Sequence, residues 1–260
     1  MKKTEKKEVS VQVVSNALKI LEILSNSSKC GVSELARTLN CQKGTIFRLL
    51  STLKNDGYIM QDKESEKYYL SLKLFKIGYN SVNNLDFNMA ALPVLTKLSQ
   101  ETNETIHLCT IEDDQLVYLQ KIESTYSLKV TMMSRVGYST PLYCTGVGKV
   151  LLAYQSAEKI GQYLKTIELH KYTANTIVNQ HDLISELEKI RDTGIAYDNE
   201  EHELGVRCVA APIFNQAGNT IAALSISGPT IRIVDEKLDS MRELVKNASN
   251  EISRKIGYSL

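Results

Sequence analysis

The residues best suited to chemistry lie in the second half of the 260-residue chain. Gly146-Val147-Gly148-Lys149 has the flavour of a phosphate loop, in which backbone N–H groups cradle phosphate oxygens. It departs from GxxxxGK[ST] twice: Tyr143 stands at the first glycine, and Val150 replaces the hydroxyl residue. The stretch leads into a helical pattern, so its unpaired N–H groups and helix dipole can hold a carboxylate instead. Ser225 and Ser227 are two apart in a strand-like run and share one face, where their hydroxyls can bond carboxylate or hydroxyl oxygens. Asp198 can accept hydrogen bonds from hydroxyl groups, and Cys208 can line the wall of a pocket. Each also has a structural reading: the serines can satisfy buried backbone, Cys208 can be plain core, and Asp198 with Glu200 can be a solvated acidic pair.

Other chemistries find no support. GxSxG, HExxH and CxxC are absent, and no Ser/His/Asp constellation stands out. Five cysteines and four histidines at scattered positions indicate neither a disulfide scaffold nor a structural zinc site. Asp198, Cys208 and His202 are a conceivable metal set, but their spacing lends it nothing; no metal and no cofactor are expected. Free thiols suit a reducing compartment. No apolar run approaches the ~20 residues of a membrane helix, and the basic start lacks an apolar stretch behind it. A cytoplasmic, unprocessed protein is expected.

The elements that must hold these groups follow from periodicity. A Lys/Glu-rich tail, residues 1–12, precedes a helix from Val14 with Ala17, Leu18, Leu21 and Leu24 recurring at helical steps behind Ser15 as its cap. Ser33 is expected to cap a second helix, Glu34 to Leu39, and Asn40 to supply a left-handed turn. A third helix, Lys43 to Asn55, turns Ile46, Leu49, Leu50 and Leu53 inward and stops at Gly57. Two short strands around Asp62–Lys67 predict a hairpin. Leu72–Val82 is a short helix, and a longer one restarts at Asn83–Asp86 and runs to about Thr102. Beyond Glu104 strands are predicted at Thr105–Ile111, Leu116–Ile122, Leu128–Met133, Ile195–Asp198, Arg207–Phe214 and Thr220–Ser227. Helices are predicted after Thr145, at Ala157–Thr166, at Asp182–Thr193 and from Asp235 to Ile256. The reading is α+β, with a head at 13–71, a linker helix at 72–84 and a body at 85–260 carrying an antiparallel-leaning sheet flanked by helices.

The overall charge of +1 hides an asymmetry. Residues 1–80 hold 14 Lys+Arg against 8 Asp+Glu, a net +6, and residues 81–260 hold 17 against 22, a net −5. A basic head on an acidic body suits a protein that meets phosphate at one end. Helix, helix, tight turn, helix and hairpin is the order of a winged helix-turn-helix, with Ala36 where the paired helices approach closely. The third helix would enter the major groove led by Gln42, Lys43, Gly44, Thr45, Phe47 and Arg48, while Lys63 and Lys67 of the wing meet backbone phosphates. A small helical bundle used for protein contacts is the bland alternative.

Ser33-Glu34-Leu35-Ala36, Thr45-Ile46-Phe47-Arg48-Leu49-Leu50 and Gly57-Tyr58 resemble the head of the IclR family of bacterial transcription regulators. The resemblance continues through Pro141–Ala153, Asp198–Glu201, Gly205–Pro212 and Leu224–Pro229, and covers nearly all of Val13 to Gly257. It implies a C-terminal GAF-like α/β ligand-binding domain and a pocket at Gly146, Val147, Asp198, Cys208, Ser225 and Ser227. Three stretches, Glu64–Tyr68 with Leu72–Phe75, Glu104–Leu108 and Thr140–Tyr143, are most similar to the branch that senses 2-keto-3-deoxygluconate. The resemblance therefore implies a repressor of sugar-acid catabolism genes, not an enzyme. Its implied partners are a palindromic duplex operator, a small keto or sugar acid and further copies of itself in a dimer or tetramer. A keto-acid enzyme fused to a DNA-binding domain is the alternative from another class.

Overall fold

The computed structural model describes residues 11–83, 86–126, 134, 136 and 139–259. They divide into two compact units, Met1–Val82 and Asn83–Leu260.

In the first unit α1 (Gln12–Ser25), α2 (Val32–Thr38) and α3 (Lys43–Asn55) precede a hairpin of β1 (Ile59–Gln61) and β2 (Tyr68–Leu70), followed by α4 (Leu72–Asn83). Ile20 and Leu24 of α1, Leu35 and Ala36 of α2, and Ile46, Leu49, Leu50 and Leu53 of α3 close one core with Ile59 and Tyr68. Two expected caps are corrected. α1 starts at Gln12 behind Val11, and α2 at Val32 behind Gly31, so Ser15 and Ser33 both sit inside the first turns, and neither N-terminus has a side-chain cap. Helical periodicity locates a helix better than its first residue. The inward face of α1 is also rotated: Asn16 is buried, whereas Leu18 is 55% exposed. Asn40 does take the left-handed conformation, at φ 50°, and Gly57 follows α3 at φ 76°.

The second unit contains a six-stranded antiparallel sheet in the order β5-β4-β3-β8-β7-β6. Its strands are β3 (Thr105–Glu112), β4 (Gln115–Ile122), β5 (Ser139–Thr140), β6 (Ala196–Asn199), β7 (Val206–Phe214) and β8 (Thr220–Pro229). Cys109, Tyr118, Ala210 and Ala223 pack into one cluster with α6 (Gly146–Ala153), α7 (Ala157–Thr166) and α8 (Gln180–Thr193). The alternate residues Val209, Ala211, Ile213, Leu224 and Ile226 are buried as well, and α5 (Asp86–Thr102) and α9 (Asp235–Lys255) pack along the same strands. Met241, Val245, Ala248 and Ile252 form the buried stripe of α9; Leu238 and Leu244 are half-buried. The strand expected over Leu128–Met133 lies outside the described residues. Among the described residues no helix is long and apolar enough to cross a membrane.

Candidate functional site

Strand register brings the expected side chains together. Asp198 of β6 pairs with Cys208 of β7, which pairs with Ser227 of β8; one step along, Ala210 pairs with Ser225, and Ser225 with His107 of β3. The N-terminus of α6 comes down onto this row. A Cβ at Gly146 would lie 3.1 Å from Cys208 Sγ and 3.4 Å from Ala210 Cβ, a tight fit that shows how closely the helix approaches the sheet. Thr145 caps α6 by accepting the Gly148 N–H at 3.1 Å. The resulting cavity has about 490 Å³ of empty space, open solvent included. Val147, Asp198, Cys208, Ser225 and Ser227 line it, with Gly146 immediately behind at Cys208.

Sequence reasoning missed the opposite wall, formed by His107, Tyr118, Ser134 and Thr140, and the rim residue Glu203; His202, weighed there only as a metal candidate, lines the same cavity. No spacing rule reaches from His107 to Ser225; only the pairing of β3 with β8 joins them.

Burial dominates the electrostatics. Asp198 is 6% exposed, and its carboxyl is pushed up to about 7 by desolvation, against the Glu201 N–H that Oδ1 accepts at 2.7 Å. The carboxylate neighbour of Asp198 is therefore Glu201, not Glu200, whose Oε2 instead accepts the Gly205 N–H at 2.7 Å. Glu201 is itself raised by burial, opposed by Lys149, whose buried Nζ lies 2.5 Å from Glu201 Oε1 and 3.6 Å from Glu186 Oε1. Burial and the charge of Lys121 push His107 down to about 3, so its imidazole is neutral. Burial, then the nearby Asp198, raises the Cys208 thiol well above its usual range, which makes it a wall rather than a thiolate nucleophile. Among the described residues no group of three or more His, Cys, Asp or Glu could hold a metal ion.

These shifts have opposite linkage signs. Folded Asp198 keeps a proton the unfolded chain releases, so its contribution is present below about pH 4 and is lost as pH rises through about 7. Folded His107 refuses a proton the unfolded chain takes, so its contribution is present above about pH 6.5 and is lost as pH falls toward about 3. Asp198→Asn removes the first effect alone. Urea unfolding should show that variant gaining on the unaltered protein between pH 5 and pH 8, by at most about 3 kcal/mol, because only the span from pH 5 to about 7 contributes. A pH-independent difference would mean that Asp198 is not buried as described.

In the first unit the reading helix presents a polar face opposite its buried stripe. Gln42, Lys43, Gly44, Phe47 and Arg48 are exposed, and Thr45 is half-buried. Gln42 is the N-cap residue of α3, with its side chain unused in the cap. Lys63 and Lys67 are exposed in the wing, whose turn is held by Asp62: its carboxylate takes Lys29 Nζ at 2.6 Å and the Ser65 N–H and hydroxyl at 2.9 and 2.7 Å. Lys29 above all holds the Asp62 carboxyl far below the usual range. This brace is not legible in the sequence, because its partners come from the α1–α2 loop and the wing.

Comparison with known proteins agrees with this geometry. Residues 13–63 match the IclR helix-turn-helix domain, and residues 79–254 match the C-terminal domain of bacterial transcriptional regulators of the IclR type. The chain is 40% identical over 254 residues to the HTH-type transcriptional regulator KdgR of Escherichia coli (strain K12), covering 98% of this chain and 96% of that one. KdgR of Dickeya chrysanthemi is 39% identical, with 98% and 83% covered. The crystal structure of Thermotoga maritima IclR superposes with a TM-score of 0.77 at 35% identity, covering 95% of this chain and 99% of that one. The C-terminal domain of E. coli KdgR matches at a TM-score of 0.61 and 37% identity over 67% of this chain and all of that domain. These relatives are named as regulators, which sets aside the phosphate-loop and keto-acid-enzyme readings. Winged head, cavity-bearing body and full-length similarity together place the chain in the IclR family of bacterial transcriptional regulators, as a DNA-binding regulator and not an enzyme.

Proposed function

We propose that this regulator represses genes of sugar-acid (pectin and uronate) catabolism and is released from its operator by a small keto acid such as 2-keto-3-deoxygluconate. The observation that carries the reading is the cavity itself. Its floor offers two serine hydroxyls, a carboxyl pushed up to about 7 and the N-terminus of α6, a set suited to an acid that also bears hydroxyls. The full-length similarity to the KdgR regulators is in keeping with the branch that the sequence resembles. A single winged head buries little surface on DNA, so the regulator would bind a palindromic site as a dimer or tetramer in the cytoplasm. The ligand would favour one of two arrangements and thereby weaken operator binding, by no more than its difference in affinity for them.

The side chains proposed to meet DNA are Gln42, Lys43, Gly44, Thr45, Phe47 and Arg48 of the reading helix, with Lys63 and Lys67 of the wing. Operator affinity should fall steeply with salt, because Lys and Arg contacts release counterions. Arg48→Ala should weaken operator binding by roughly 1–3 kcal/mol if Arg48 reads a base edge. The check is parallel titration of operator and random DNA; equal losses on both would make Arg48 a phosphate contact.

The ligand site is tested by Asp198→Ala. Losing a hydrogen-bonding carboxyl should cost about 1–3 kcal/mol, a five- to 150-fold loss of ligand affinity, with operator binding unchanged. Ser225→Ala and Ser227→Ala should show milder losses. Gel-shift titrations with 2-keto-3-deoxygluconate and pyruvate measure this directly. Release of the Asp198→Ala protein at the ligand concentration of the unaltered one would show the site to be misplaced.

A further inference from the structure

The cavity wall opposite Asp198 is polar in a way that the proposed acid-binding groups do not explain. His107 is 3% exposed and projects from the middle of β3. Its Nε2 shares a hydrogen bond of 2.8 Å with Ser134 Oγ, and Lys121 Nζ donates to the Ser134 carbonyl at 2.9 Å, so the far side of the ring is anchored. Tyr118 packs edge-on to the ring at 5.3 Å between centroids, which fixes its plane.

The cavity side of the ring is different. Nδ1 lies 3.3 Å from Ser227 Oγ and 3.5 Å from Ser225 Oγ, and the two hydroxyls are 3.4 Å apart. A full bond between such groups is about 2.7–3.0 Å. Three polar groups thus converge on one space and bond each other only weakly. A neutral imidazole has one donor and one acceptor nitrogen, and each serine can rotate its proton, so the trio can answer a group that is itself both donor and acceptor. Beside it, Thr140 is 7% exposed and lines the same wall. Its Oγ1, next to the Tyr118 phenol, has no partner of good hydrogen-bond geometry among the described residues. Leaving a buried hydroxyl unbonded is costly, which makes this wall a poor lining for an apolar tail.

We propose that His107 and Thr140 form a hydroxyl-reading subsite: they take the hydroxylated tail of the ligand and set the preference for polyhydroxy acids over apolar acids of equal length. This rests on the proposed acid-binding reading and names the part of the cavity that gives it specificity. A site built to bond a hydroxyl rejects the analogue lacking it, because its own polar groups are then stranded.

The test is calorimetry on the full chain with two matched pairs: 2-keto-3-deoxygluconate against 2-ketohexanoate, and gluconate against hexanoate. The unaltered protein should prefer a hydroxylated member by about tenfold or more. His107→Leu should lose about tenfold toward that member while its affinity for the apolar partner stays within about threefold. Thr140→Val, a near-isosteric change, should move the ratio the same way and carries the test if His107→Leu melts early. An unchanged ratio in both variants, or an equal loss for both members of a pair, overturns the subsite and leaves the acid-binding reading standing. Preference for gluconate without binding of either keto acid overturns the keto-acid reading and keeps the subsite. Failure of the unaltered protein to bind any hydroxylated acid overturns both.

Discussion

Lys149→Met is expected to destabilise the unit Asn83–Leu260 by about 3–5 kcal/mol at pH 8, the cost of leaving a buried carboxylate without its counter-charge. The Lys149 side chain is 1% exposed and reaches from α6 to Glu201, 8% exposed, with Glu186 of α8 as a second partner at 3.6 Å. Methionine keeps most of the packing and removes the charge alone. Glu201 Oε2 has no hydrogen-bond partner among the described residues, so beyond the Asn199 backbone little there compensates the lost ammonium. Glu201 would respond by holding a proton. Its folded pKa would then stand further above the unfolded one, so the deficit should be small near pH 5 and grow as pH rises through that folded value. Urea unfolding at both pH values reads this. The double variant Lys149→Met/Glu201→Gln should recover most of the loss, a coupling that simple loss of packing would not produce. A deficit that is equal at both pH values and persists in the double variant would show that the pair contributes no net electrostatic stability. The effect on function should follow, because the Glu201 N–H bonds Asp198 and so helps hold that carboxyl in the cavity.

What was legible in the sequence was whatever local rules control. The span Ala157–Thr166 of α7 was legible from its helical period, and the structure adds Ser156 as its cap, accepting the Lys159 N–H; α3 follows from its buried stripe between Gln42 and Gly57. The pocket residues Val147, Asp198, Cys208, Ser225 and Ser227 were reached through family resemblance supported by strand period and helix start. What could not be read depends on pairing between distant segments. His107 faces Ser225 only because β3 adopts one antiparallel register with β8, and a slip of one residue would turn it to the other side of the sheet. The carboxylate pairing failed for a local reason that the sequence hides. Glu200 sits at φ 59°, a left-handed kink that bends the chain so that the Glu201 N–H returns to Asp198 and its side chain enters the interior. A charged run Glu200-Glu201 gives no sign of which member turns inward. Leu18 failed because an amphipathic helix with apolar residues on more than one side does not declare which side meets the core.

Gly148→Ala should be nearly as damaging as loss of Lys149, at about 3 kcal/mol, although alanine is ordinarily the better helix residue by about 1 kcal/mol. The reason is where α6 begins. A Cβ at Gly148 would overlap the Leu142 carbonyl oxygen and Cα, and would press on Thr145 Oγ1, the atom that caps the helix. Leu142 is fully buried and its N–H is bonded to the Tyr163 hydroxyl at 3.2 Å, so the backbone on the other side of the clash cannot simply withdraw. The helix start must move instead, and with it Gly146, which sits against Cys208, and Val147 of the cavity lining. Thermal unfolding should therefore drop by roughly 6–12 °C for a domain of this size, and ligand affinity should fall with it. Gly161→Ala is the internal control: it lies inside α7 with nothing within 4 Å of a new Cβ, so the same substitution there should raise stability by about 0.5–1 kcal/mol. Equal behaviour of the two variants would mean that helix propensity, and not the close approach at Leu142, decides what alanine does at the mouth of α6.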